Sequence, residues 1–168
     1  VTPQTQVNVS RHLKLESTVG KAISVGAGGS MCGLETVSAA FKPNKISLLM
    51  SLIVISEEGT VFVWGYGMLG MGPSVSELKA PTPLKDTLFG KTIFNPVVRV
   101  QSITAGLHHF AAITNKGELF TWGKNNKANL GIGVEHDMTF PYRVSIPGSV
   151  RKVSLGPDHT VALSRALI

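Results

Sequence analysis

The chain has 168 residues and a formal net charge of +6 at neutral pH, and hydrophobic residues make up 43% of it. That apolar content excludes an intrinsically disordered chain, and the length suits one domain or part of a larger one. A single cysteine excludes an internal disulfide framework and a cysteine-based zinc cluster. The 18 glycines and 9 prolines indicate many turns.

Two apolar runs dominate the first third of the chain. Residues 23–29 form a short apolar run that ends in glycines, which is typical of a strand entering a turn. Residues 46–55 form the longest apolar stretch, and its ten residues are far too few to span a bilayer as a helix.

A pattern that ends in Trp–Gly occurs twice. It covers residues 58–65 and 116–123, which are 58 residues apart. A second pattern, Gly-x-x-His, occurs at residues 106–109 and 156–159, which are 50 residues apart, and a weaker copy at residues 23–29 has Gly29 in place of the histidine. Three copies at a spacing near 50 residues predict a repeat array.

One repeat unit has the features of a small antiparallel sheet. The strand-like runs at residues 111–114 and 118–122 are joined by Asn115, Lys116 and Gly117, which predicts a hairpin. Glycine suits such a turn because the turn often needs a positive φ. An array of small antiparallel sheets predicts a β-propeller.

The combined pattern resembles the regulator of chromosome condensation repeat family. It consists here of Ala105–Gly106 with His109, the run at residues 117–123, and Leu-Gly-x-Gly at residues 130–133. Residues 62–73 and 88–96 are similar to the mitochondrial member of that family. The resemblance implies an all-β fold, namely a partial β-propeller of about three four-stranded antiparallel blades from a seven-bladed ring.

The resemblance also implies a division of the chain. Residues 1–168 are expected to form the C-terminal part of one propeller domain. The approximate repeat copies cover residues 19–83, 97–147 and 150–168, the last being the start of a closing blade. The first copy is longer than the others, and the excess is assigned to residues 33–54. Two explanations stay open for this insertion, a surface loop or short helix on the one hand and a splice or gene-model variant on the other.

The repeated positions are predicted to be structural. His109 and His159 lie in different blades under this plan, which argues against a shared metal and favours hydrogen bonds within each blade. Trp64 and Trp122 are expected in the core. The full set of structural repeat positions is Gly59, Trp64, Gly65, Gly106, His109, Gly117, Trp122, Gly123, Gly156 and His159.

A Gly-x-Gly-x-x-Gly pattern at residues 65–70 is predicted to be a turn and not a dinucleotide site. Pro73, Pro81 and Pro83 follow it, so the long helix that such a site requires is not expected. No catalytic, cofactor-binding or metal-binding residue is predicted. A partner-contact loop is hypothesised from the basic and amide residues Lys124, Asn125, Asn126, Lys127 and Arg143.

The resemblance implies a regulator or scaffold without active-site chemistry and without a cofactor. The first hypothesis is a guanine-nucleotide exchange regulator that binds a dynamin-like mitochondrial GTPase through the propeller face. The alternative is a non-catalytic scaffold in mitochondrial ribosome and RNA assembly, and the positive charge permits RNA contact. The resemblance implies a mitochondrial location. Association with the inner membrane is compatible with the sequence, although no transmembrane segment is expected in it. The chain begins with Val1, so a targeting segment is expected outside it.

Overall fold

The computed structural model describes residues 12–13, 22–28, 40–41 and 51–166, and these residues form mainly antiparallel sheets with one short 3-10 helix. The first sheet has the strand order β2 (Ala22–Gly28), β4 (Ser51–Ser56), β5 (Val61–Tyr66) and β6 (Glu77–Pro83). The second sheet consists of β7 (Val100–Ala105), β8 (His109–Thr114), β9 (Leu119–Gly123) and β10 (Met138–Arg143) in chain order. The third sheet pairs β11 (Ser149–Leu155) with β12 (Thr160–Arg165). A separate parallel pair joins β1 (His12–Leu13) to β3 (Ala40–Phe41).

The sheets pack face to face in chain order. Strand β2 packs against β7 of the second sheet, and β11 of the third sheet packs against β7 and β8. Two four-stranded antiparallel sheets and one two-stranded antiparallel sheet confirm the predicted all-β fold and the partial propeller. The predicted hairpin is also present, because β8 and β9 pair antiparallel across a turn that contains Gly117 at φ 75°.

Aromatic rings fill the space between the first two sheets. The indole of Trp122 stacks on Phe110 with ring centroids 5.5 Å apart, and Phe89 packs edge-on against it at 6.0 Å. Phe89 belongs to the 3-10 helix Asp86–Phe89, which lies in the link between the two sheets. Trp122 is therefore a core residue as predicted, and Trp64 is buried as well.

The extra residues of the first copy lie elsewhere than the sequence pattern placed them. Residues 51–54 belong to β4 and pair with β2, and Leu52, Ile53 and Val54 are buried. The excess thus separates two neighbouring strands and is not inserted within one. Its remaining part, up to residue 50, falls largely outside the described residues. The spacing between repeated glycines gives the number of extra residues in the first copy but not their position. The predicted position therefore differs from the observed one.

Strand register also corrects the alignment of the first copy. Gly28 pairs with Ser51, just as the N–H of Gly106 donates to the carbonyl of His109 in the second sheet. Leu52 pairs with Trp64, just as Phe110 pairs with Trp122. Ser51, and not Gly29, therefore occupies the histidine position in the first sheet. Its hydroxyl donates a 2.8 Å hydrogen bond to the carbonyl of Tyr66.

Candidate partner-binding face

Alternating strand directions divide the loops between two faces of the molecule. One face, called here the Gly–His face, carries residues 67–76, 106–108, 124–137 and 156–159. The opposite face, called the hairpin face, carries residues 57–60, 84–99, 115–118 and 144–148. Loops on a rigid sheet scaffold are the usual carriers of binding residues, so each face is a candidate surface.

The 124–137 loop is built around a buried asparagine. Asn125 is fully buried, and its amide donates hydrogen bonds to the carbonyls of Val134 and His136. Its side-chain oxygen accepts a 2.9 Å bond from the N–H of Leu130, and its own N–H donates to a carboxylate oxygen of Asp137 at 2.8 Å. The structure thus gives Asn125 an internal role in place of the partner contact that the sequence suggested.

Three other members of the hypothesised contact set are surface residues of this loop. Lys124, Asn126 and Lys127 are exposed beside the buried Asn125. A loop with an internal hydrogen-bonded core presents such side chains from a defined backbone. These three residues remain the candidate contact residues.

Arg143 does not join them. It lies opposite Phe120 near the start of β9, whereas the 124–137 loop leaves the other end of that strand. Its guanidinium forms a 2.9 Å ion pair with Glu118 beside the Lys116–Gly117 turn. The structure therefore places Arg143 towards the hairpin face, away from the hypothesised contact set.

The Gly-x-x-His pattern has a local steric cause. A Cβ atom at Gly106 would lie 3.0 Å from Cε1 of His109, and one at Gly156 would collide with the ring of His159. Each histidine ring therefore lies over the glycine three residues before it, where a side chain would displace it.

The hydrogen bond of His109 leaves its own sheet. Its Nε2 lies 3.0 Å from the hydroxyl oxygen of Thr160, which belongs to the third sheet. The prediction of a bond within each blade is wrong for this residue, because the next sheet supplies the partner.

The environment of His109 favours the neutral imidazole. Burial lowers the pKa of His109 below its ordinary value of 6.5, and the nearby His108 and His159 lower it further, while Asp158 opposes them. Within the described residues, His109 Nδ1 and Trp122 Nε1 are buried side-chain atoms without a hydrogen-bond partner.

The Trp–Gly glycine is explained by close backbone contact. Gly123 has a φ of 115°, and a Cβ atom there would lie 2.7 Å from Cα of His109. No larger residue fits between the two strands at that point. Gly59 and Gly65 also adopt positive φ.

The Gly-x-Gly-x-x-Gly segment forms a loop. Gly65, Gly67 and Gly70 have φ values of 100°, 114° and 87°, and strand β6 follows at Glu77. Gly70 lies against the indole of Trp122, which gives the third glycine a packing reason. Among the described residues, no group of three His, Cys, Asp or Glu side chains could hold a metal ion, and no helix is long and apolar enough to cross a membrane.

An apolar loop tip on the hairpin face was missed by the sequence reasoning. Ile93 and Phe94 are 87% and 85% exposed at the tip of a turn closed by a bond from the N–H of Asn95 to the carbonyl of Thr92. The amide of Asn115 donates to the carbonyl of Val97 at 2.9 Å and fixes the base of this loop. The length of the link at residues 84–99 was the available signal, since the corresponding link at residues 144–148 is much shorter.

The sequence matches known repeats and known proteins. The profile of the regulator of chromosome condensation (RCC1) repeat matches residues 116–163, and a second RCC1 repeat profile matches residues 100–128. Over 168 residues the chain is 47% identical to the RCC1-like G exchanging factor-like protein of Mus musculus and 46% identical to that of Homo sapiens. Each match covers 100% of this chain and 32% of the relative, so the chain spans about a third of their length.

Solved structures share the fold. The crystal structure of human WBSCR16 matches with a TM-score of 0.78 and 45% identity, covering 99% of this chain and 36% of that one. Prp20p from Saccharomyces cerevisiae matches with a TM-score of 0.67 at 19% identity, covering 93% and 33%, and at that identity the likeness concerns the fold alone. With its sheets and its relatives in agreement, the chain carries RCC1 repeats over residues 100–163.

Proposed function

We propose that this chain is the part of a guanine-nucleotide exchange regulator that contacts a GTPase through the Gly–His face. The observation that carries the proposal is the 47% identity over the whole chain to a protein named RCC1-like G exchanging factor-like protein. Prp20p, which shares the fold, has binding properties to Gsp1p and histones. The finer proposal is a dynamin-like GTPase in mitochondria, with the regulator located there.

The proposed mechanism needs no catalytic side chain. A regulator accelerates nucleotide release when it binds the nucleotide-free GTPase more tightly than the nucleotide-bound form. The exposed ammonium groups of Lys124 and Lys127 offer positive charge to an acidic partner surface. The hydrogen-bonded loop around Asn125 presents them without a large ordering cost.

The test is release of a fluorescent GDP analogue from the GTPase, measured with the full-length protein. We expect the double change Lys124→Glu and Lys127→Glu to slow release by at least about tenfold, because two attractive charges become repulsive. The matched control is Lys85→Glu with Lys116→Glu, which alters two exposed lysines on the hairpin face by the same charge. Equal effects of the two pairs would place the contact elsewhere.

A scaffold in mitochondrial ribosome and RNA assembly is the second candidate function. The net charge of +6 favours it, since a basic surface attracts RNA phosphates. Recovery of bound partners from mitochondria with and without RNase separates the two candidates. Loss of ribosomal partners after RNase supports the scaffold, and a GTPase retained after RNase supports the exchange regulator.

A further inference from the structure

A closed ring of hydrogen bonds connects the 124–137 loop to the contact between the second and third sheets. The N–H of Lys124 donates to the carbonyl of His108 at 2.9 Å, and the amide of Asn129 donates to the carbonyl of Lys124 at 2.9 Å. The hydroxyl of Thr160 donates to the carbonyl of Asn129 at 2.6 Å. His109 Nε2 lies 3.0 Å from that hydroxyl, and the peptide bond between His108 and His109 closes the ring.

The ring defines which nitrogen of His109 carries the hydrogen. A carbonyl oxygen only accepts, so the single hydroxyl hydrogen of Thr160 is directed at Asn129. The oxygen of Thr160 must then accept from His109, which places the imidazole hydrogen on Nε2. Nδ1 is bare, buried and without a partner among the described residues, and it faces Gly106.

A proton added to this histidine would have to reside on Nδ1. There it would meet no acceptor in the described part of the chain, and its charge would be buried at the sheet contact. The charges of His108 and His159 also disfavour the imidazolium of His109, and the exposed Lys124 follows on the attached loop. Within the described part of the chain, Asp158 on the β11–β12 turn supplies the opposing, attractive charge on His109.

We propose that His109, Thr160 and Asn129 are positioning residues that form a proton-sensitive latch on the 124–137 loop. The latch holds the loop against the third sheet while His109 is neutral and releases it when His109 takes up a proton. The latch goes beyond the proposed function. Its effect on partner contact rests on that function, but the latch itself is testable without a partner.

The test is amide hydrogen exchange of residues 123–131 in the intact protein, corrected for the intrinsic exchange rate, from about pH 8 to about pH 4.5. Protection in the wild type should fall only below pH 6.5, because the pKa of His109 is lowered from that value. In His109→Gln the amide can still donate to Thr160 and does not titrate, so protection should stay constant. Thr160→Val removes the hydroxyl, so protection should already be lost by about tenfold at the highest pH.

The controls separate the latch from general unfolding. His159→Gln alters an exposed histidine and should keep the pH response, while Thr160→Ser keeps the hydroxyl and should keep the protection. Residues 51–66 of the first sheet should stay protected throughout. If Thr160→Val unfolds as a whole, the proposal is tested by comparing the pH dependence of protection in the wild type and in His109→Gln. Equal pH responses in those two proteins, or full protection in a folded Thr160→Val, would overturn the proposal.

Discussion

The two Gly-x-x-His copies, residues 106–109 and 156–159, share a local geometry and differ in their surroundings. In both copies the histidine ring lies over the preceding glycine. His109 is completely buried and bonded to Thr160 of the third sheet, whereas His159 is exposed. The motif itself therefore positions the ring, and a neighbouring sheet decides whether the ring is buried and what it binds.

The same contrast extends along the strands. Ala111 and Ile113 of β8 are buried against the third sheet, with Ile113 4% exposed. The corresponding residues of β12 are Val161 and Leu163, and Leu163 is 64% exposed. Equivalent strand positions thus contribute very different free energies, because burial of apolar area depends on the sheet that covers them.

The severest test of the contact between the second and third sheets is Gly117→Val. The added side chain would collide with Ser149 at the start of β11 and would also require a β-branched residue at φ 75°. We expect the free energy of unfolding to fall by about 3 kcal/mol or more, measured by chemical denaturation. Gly133→Val is the matched control, since Gly133 has a φ of 79° and a Cβ atom there would have no neighbour within 4 Å. If Gly133→Val lowered the free energy of unfolding as much as Gly117→Val, the whole effect would come from backbone strain at positive φ and not from the collision with Ser149.

A pair of threonine substitutions tests whether coverage by a sheet decides the energetics. Ile113→Thr places a hydroxyl in the buried contact and removes apolar volume, so we expect a loss of about 2 to 3 kcal/mol. Leu163→Thr changes an exposed position and should alter the free energy of unfolding by less than about 0.5 kcal/mol. Similar losses for the two variants would contradict the comparison.

Replacing each of the two histidines with alanine tests the Gly-x-x-His motif itself. His109→Ala removes a buried ring and leaves the Thr160 hydroxyl without its donor, which should cost about 2 kcal/mol in thermal or chemical unfolding. His159→Ala removes an exposed ring and should cost less than about 0.5 kcal/mol. The sequence alone predicts a loss at both positions, so equal losses would favour that simpler expectation over the structure.

The smallest expected effect is a pH dependence of stability. The pKa of His109 is lowered in the folded chain, so as the pH falls the unfolded chain binds the proton first. The contribution of the neutral histidine is complete above pH 6.5 and is lost as the pH falls below that value. Denaturation curves across this range should show a decline in the wild type that is reduced in His109→Gln. A parallel decline in both proteins would attribute the effect to other groups.

Repetition in the sequence predicted the positions that depend on local sterics. The hairpin at Gly117, the core role of Trp122 and the antiparallel sheets follow from residue types at a repeated spacing. Each of these features follows from residue types that recur at a fixed spacing along the chain.

Features set by neighbours in space were not predictable in the same way. Asn125 is a polar residue in a loop, which is typical of the protein surface. It is nevertheless buried, because the backbone of its own loop folds around it. Nothing in the spacing of the copies shows that residues 51–54 belong to β4, since only pairing with β2 defines that register.

The sequence by itself determined the repeat, its antiparallel strands and the Gly117 turn, because these depend on residue types and backbone sterics within a few residues. Only the tertiary structure decided that His109 bonds to Thr160, that Arg143 lies apart from Lys124 and Lys127, and that Leu163 is exposed while Ile113 is buried. Those outcomes depend on which sheet lies beside each strand, and identical motifs acquire different partners when their neighbours differ.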